Sequence, residues 1–94
     1  MALKIGSMYK VKKRVAASTL EEERYAKGWD ILHPDDNLVF VLLEQGQISD
    51  TTYGSIPCEV MVYKFLCSNG SIYFVKKRAK AKYYFEKTCF EEIC

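Results

Sequence analysis

The chain predicts a mainly β fold: one strongly bent antiparallel sheet of five or six strands, or a small barrel made by curling it. Three stretches carry that expectation. Val60 to Arg78 holds two strand-like runs joined by Asn69-Gly70, the pair favoured where a two-residue hairpin turn needs φ > 0 at both central positions. Ile5 to Val15 alternates, with Ile5, Tyr9, Val11 and Val15 on one side and Met8, Lys10, Lys12 and Arg14 on the other. Leu38 to Leu43 is a short continuous apolar run rich in β-branched and aromatic residues, the pattern of a strand covered on both faces.

The Asn69-Gly70 turn also predicts a register. With Ser68 opposite Ser71, Cys67 meets Ile72, Phe65 meets Phe74 and Tyr63 meets Lys76. Met61, Tyr63, Phe65, Cys67, Ile72 and Phe74 then share the apolar face, and Val62, Leu66, Tyr73 and Val75 lie on the outer one. A hairpin alone is marginal in water, so other strands must cover its apolar face.

Taken in order, the first strand spans 8–15, and its entry at Gly6-Ser7 suits a bulge or bend. Residues 16–28 break the alternation. Two capping-box patterns, Ser18 to Glu21 and Thr19 to Glu22, with Gly28 as a stop, predict a short helix inserted over 19–27. Strands follow near 29–33 and 38–44, separated by the turn His33-Pro34-Asp35-Asp36-Asn37. Glu44 to Pro57 reads as a long loop. After the hairpin, the second strand of the pair is expected to run on from 71 to 86. Thr88 to Glu91 repeats the capping-box pattern and predicts a final helical turn. A five- or six-stranded barrel of the Src-homology-three type accommodates this order; a two-layer α+β sheet is the alternative.

At 94 residues there is room for one core, so residues 1–94 are expected to form a single domain. Nearly half the residues are apolar, which excludes a disordered chain. The net charge is only +2, but both ends are basic and residues 16–59 are acidic. The opening residues carry no secretory h-region and no apolar run could span a bilayer. A cytoplasmic protein with no membrane contact is expected, with its four cysteines reduced. None of them forms a C-x-x-C pair and the single histidine lies elsewhere, so no metal site, cofactor or catalytic residue is expected. His33 with Asp35 and Asp36 is most simply a turn.

One constellation points to a ligand. Lys10, Lys12 and Arg14 on one strand, and Lys77, Arg78, Lys80 and Lys82 near Tyr73, Tyr83 and Tyr84, set cations beside aromatic rings. Cations meet phosphates and rings stack on bases, so a nucleic acid or nucleotide is the expected ligand of a non-enzymatic binding protein. Lysines also solubilise exposed strand edges, the plainer role of the same residues. The alternative function is docking on a host protein through Val62, Leu66, Tyr73 and Val75 on the outer hairpin face, together with the 44–57 loop.

In size, in its Ser-Met-Tyr-Lys-Val-Lys-Lys-Arg-Val opening and in its Cys-Ser-Asn-Gly-Ser-Ile-Tyr-Phe-Val hairpin, the chain resembles the small accessory proteins encoded by bacteriophages. That resemblance implies a compact binder that blocks a host process in the host cytoplasm. It supplies no site residue.

Overall fold

A computed structural model describes residues 3–19, 30–50 and 55–93. It is mainly β, as the alternation and the hairpin predict. Strands β1 (Met8–Val11), β2 (Val15–Ala17), β3 (Asp30–Leu32), β4 (Phe40–Asp50), β5 (Cys58–Cys67), β6 (Ile72–Arg78) and β7 (Phe90–Ile93) are joined by one helix, α1 (Lys82–Cys89). Five strands form an antiparallel sheet in the order β6-β5-β4-β1-β7, and β2 pairs with β3. Leu43 is an extra residue in β4, since Leu42 pairs with Phe65 and Glu44 with Lys64. Such a bulge adds local twist and bends the strand.

The sheet curls without closing into a barrel. The turn at 12–14 carries the chain from β1, next to the edge strand β7, to β2 beside the opposite edge strand β6. There Ser18 and Phe74 exchange two backbone hydrogen bonds of 3.0 and 2.7 Å. Among the described residues, that single bridge is the whole of the pairing between β2 and the sheet.

The hairpin exists, but its register is one residue away from the expected one. Gly70 has φ +90°, whereas Asn69 is not in the left-handed region. Gly70 N–H donates to Cys67 O and Cys67 N–H to Ser71 O, both at 2.9 Å, which encloses a three-residue loop. This is a turn ending in a left-handed glycine, the arrangement of a three-residue hairpin with a bulge. The Asn69 side chain accepts from Ser71 N–H at 2.9 Å and holds the turn in that form. Phe65 therefore pairs with Tyr73, and Leu66 with Ile72. Because side chains alternate, a one-residue slip turns every β6 side chain to the other face. Tyr73 and Val75 go into the core, and Ile72 and Phe74 go out.

Three other expectations need correction. Residues 79–86 are not a strand: Ala79–Ala81 form a turn of 3-10 helix and Lys82–Cys89 form α1. Phe85 and Glu86 are buried, with Lys82 and Cys89 half-buried, the i, i+3, i+4, i+7 spacing of one helix face. Residues 90–93 are not a helical turn but β7, which pairs along β1 from Met8↔Ile93 to Val11↔Phe90. The expected loop at 44–57 is strand through Asp50. Of the inserted helix expected over 19–27, residues 20–27 lie outside the described residues; Ala16 and Ala17, where the alternation is expected to break, are still strand. The His33 turn is as expected: Pro34–Asp36 form a single 3-10 turn, with His33 N–H donating to Asp36 Oδ2 at 3.3 Å.

The core lies between the concave sheet face and α1, and it is largely aromatic. Phe65 stacks on Phe90 at 5.1 Å between centroids, Phe85 meets Phe90 edge-on at 5.3 Å, and Tyr63 packs on Phe85 at 5.6 Å. Phe40 meets Phe65 and Tyr73 edge-on. Rings in these geometries gain more than their area alone.

Candidate functional site

The helix that alternation misses is where the basic and aromatic residues gather. Inward, α1 is fixed by a buried carboxylate. Glu86 accepts from the Tyr63 hydroxyl at 2.6 Å and from Leu3 N–H at 3.2 Å, so it ties α1 to β5 and to the amino-terminal segment. A buried charge is tolerable only when its oxygens are hydrogen-bonded, and both are. Burial, reinforced by the bond to Glu86 and its negative charge, pushes the Tyr63 hydroxyl far above its ordinary range, so it stays protonated and donates.

Outward, α1 presents Tyr83 and Tyr84, 65% and 68% exposed. Lys87, one turn on, lies over the Tyr83 ring at 5.8 Å. At the carboxyl end of the helix, Lys12 Nζ donates to Lys87 O at 3.4 Å and Lys12 N–H to Cys89 O at 2.7 Å. A cation there suits the helix dipole. Lys77, from the end of β6, sits over the Phe85 ring at 5.1 Å. The half-buried Cys89 thiol feels all of this: burial pushes its pKa up, while the nearby charges of Lys77, Lys13 and Lys12 pull it part of the way back. Two segments more than sixty residues apart in sequence, at Lys12 and Lys77, thus meet at α1.

The expected ligand residues divide as follows. Lys12 and Lys77 are both brought to α1, Lys12 at its carboxyl end and Lys77 over the Phe85 ring. Arg14 is exposed in the adjoining 12–14 turn, not on a strand face shared with Lys10, because β1 ends at Val11. Lys10 is elsewhere, on the outer sheet face, paired with Glu91 at 3.6 Å. Arg78 and Lys80 line a separate cleft of about 310 Å³ with Cys58 and Glu59. Lys82 is half-buried on α1, and Tyr83 and Tyr84 stay available. Tyr73 is withdrawn from both the expected ligand site and the expected protein interface, since it is only 6% exposed and packs on Phe40. Val75 is fully buried and leaves the expected interface for the same reason, the register shift; Val62 and Leu66 remain on the outer face.

Lys13 is the residue that sequence reading missed. Strict alternation assigns it to the core side of β1, but the turn at 12–14 ends the alternation and leaves it exposed. The run Lys12-Lys13-Arg14 was the available signal, because three consecutive cations rarely fit one buried strand.

Among the described residues, no group of three or more histidine, cysteine, aspartate or glutamate side chains could hold a metal ion, and no helix is long and apolar enough to cross a membrane. No family model, curated protein or solved structure matches the chain.

Proposed function

We propose that the protein is a non-enzymatic binder of a phosphate-bearing ligand, a nucleotide or single-stranded nucleic acid, through the surface around α1. Lys12, Lys13, Arg14 and Lys77 meet the phosphates, and Tyr83 and Tyr84 stack on bases. The observation that carries this reading is that Lys12 is bonded to the carboxyl end of α1 and Lys77 lies over its Phe85 ring, on the helix that exposes both tyrosines. Clustered surface cations attract anions, and exposed rings give base affinity without sequence readout. Lys82 extends the charge along the start of the helix. The resemblance to phage accessory proteins fits a small sequestering binder of this kind.

Fluorescence anisotropy with a labelled oligothymidylate of about twelve nucleotides tests it, alongside a labelled adenine nucleotide. Affinity for one of these probes should fall at least tenfold between 50 and 200 mM salt, since phosphate contacts release counterions. Lys13→Glu with Arg14→Glu should abolish binding, and Tyr83→Ala should weaken it by roughly 1–3 kcal/mol. Binding that ignores salt, or that survives the double charge reversal, sinks the proposal.

A further inference from the structure

The outer face of the sheet carries a feature the α1 surface does not use. Reading across the strands in register, Ile72 on β6 pairs with Leu66 on β5, Leu66 with Val41 on β4, Val41 with Met8 on β1, and Met8 with Ile93 on β7. Five apolar side chains therefore lie in one unbroken row across all five strands, on the face away from the core. Met8 is 46%, Leu66 41% and Ile72 36% exposed; Val41 and Ile93 are half-buried. The slip in the hairpin register creates the row, because the expected pairing would have sent Ile72 inward.

Hollows lie on both sides of the row. One of about 220 Å³ is lined by Glu44, Gly46, Val62, Lys64 and Phe74 among others. The other, of about 270 Å³, is lined by Lys10, Val39, Glu91 and Ile93 against a wall of Pro34 and Leu38. Each hollow is lined by two lysines and one acid, Lys76 and Lys64 with Glu44 in the first and Lys10 and Lys12 with Glu91 in the second, and in both the lysines come before the acid along the row. Lys64 on β5 precedes its cross-strand partner Glu44 on β4, and Lys10 on β1 precedes its partner Glu91 on β7.

We propose that this row is a docking site for an amphipathic α-helix of a partner protein, lying along Ile72, Leu66, Val41, Met8 and Ile93. Size selects a helix over a second copy of the chain. Four strand spacings give a row about 19 Å long. At one side chain wide, its footprint of a few hundred Å² falls well short of the roughly 800 Å² per partner of a stable interface between globular surfaces. A helix about 13 residues long matches that length, and its flanking side chains enter the two hollows. Charge sets its direction. The lysine-then-acid order on both flanks asks for acid-then-base on the helix, the order that stabilises a helix when glutamate precedes lysine by four residues. The amino end of the helix therefore lies over β6 and its carboxyl end over β7.

The probe is a stapled 14-residue helical peptide with leucine at positions 1, 4, 5, 8, 11 and 12 and flanking Glu-to-Lys pairs four residues apart. A second peptide carries those pairs reversed. Amide and methyl NMR shifts of the full-length protein on titration should map to Met8, Val41, Leu66, Ile72 and Ile93. Leu66→Glu and Met8→Glu should each weaken binding at least tenfold, while Ile56→Ser, exposed and off the row, should not. The reversed peptide should bind several-fold more weakly. Shifts mapping elsewhere, affinity unchanged in both glutamate variants, or no binding at millimolar peptide would overturn the proposal. Concentration-dependent self-association in sedimentation that Leu66→Glu abolishes would overturn it too, since the row would then belong to a second copy.

Discussion

The β5–β6 hairpin and the segment that follows it, 79–93, were equally open to reading from sequence and fared differently. In the hairpin, strands and turn stand where local chemistry puts them, and only the register moved, by one residue. In 79–93, both expected elements are exchanged: helix where a strand was expected, strand where a helical turn was expected. The hairpin is specified by contacts a few residues apart. The later segment is specified by partners far along the chain, Tyr63 and Leu3 for Glu86 and the whole of β1 for β7. Local preference is a weak prior where remote contacts decide.

Breaking the remote contacts should therefore cost most. Phe85→Ala removes the ring that holds α1 to Tyr63 and Phe90, and should destabilise by about 3–5 kcal/mol. At roughly 4–8 °C per kcal/mol for a domain of this size, calorimetry should show a fall in Tm of more than 12 °C, or no folded protein. A change of only a few degrees would mean that α1 is an ornament on a self-sufficient sheet.

The local element should cost less when broken. Gly70 sits at φ +90°, where a Cβ meets no neighbouring atom but the backbone itself is strained. Gly70→Val should cost about 1–3 kcal/mol. Gly70→Ala should cost about half as much, and Asn69→Asp should be close to neutral because Asn69 needs no positive φ here. A chemical-denaturation series in which Gly70→Val unfolds with the wild type would rule out a left-handed glycine at this turn.

Comparable in size, and legible through pH, is the Tyr63–Glu86 bond. Tyr63→Phe leaves one oxygen of a buried carboxylate without its donor and should cost about 1–3 kcal/mol at neutral pH. The tyrosine pKa is raised on folding, so the unfolded chain loses its proton first, near its ordinary value of 10.0. The stability that this group contributes is fully present below that pH and is lost as the pH rises above it, by up to about 1.4 kcal/mol per pH unit. The gap between wild type and Tyr63→Phe should accordingly narrow above pH 10 in denaturation midpoints. A gap constant up to pH 11 would show that folding does not hold the hydroxyl protonated, by burial or by Glu86.

The smallest effect expected is chemical. Residue-resolved alkylation should find Cys89 slower than an open thiol at neutral pH, and an anionic ligand over Lys12, Lys13 and Lys77 should slow it further. Acceleration on adding ligand would place the phosphates elsewhere.

Alternation along Tyr9 and Val11, the apolar run at Phe40 to Leu42 and the turn at Asn69-Gly70 were enough to read the class of the fold, four of the five sheet strands and the Tyr63 and Phe65 part of the aromatic core. They were enough because strand periodicity and turn stereochemistry are properties of neighbouring residues. Sequence also showed the cations and the tyrosines, but not which of them meet. Whether Tyr73 faces a ligand or the core turned on whether the loop held two residues or three, and the Asn69 side chain settled that by bonding Ser71 N–H. Whether Tyr83 and Tyr84 lie on one strand or on an exposed helix turned on a buried acid. Glu86 reads as a surface residue until Tyr63 and Leu3 are brought to it, and a carboxylate accepts burial only where the fold supplies its donors.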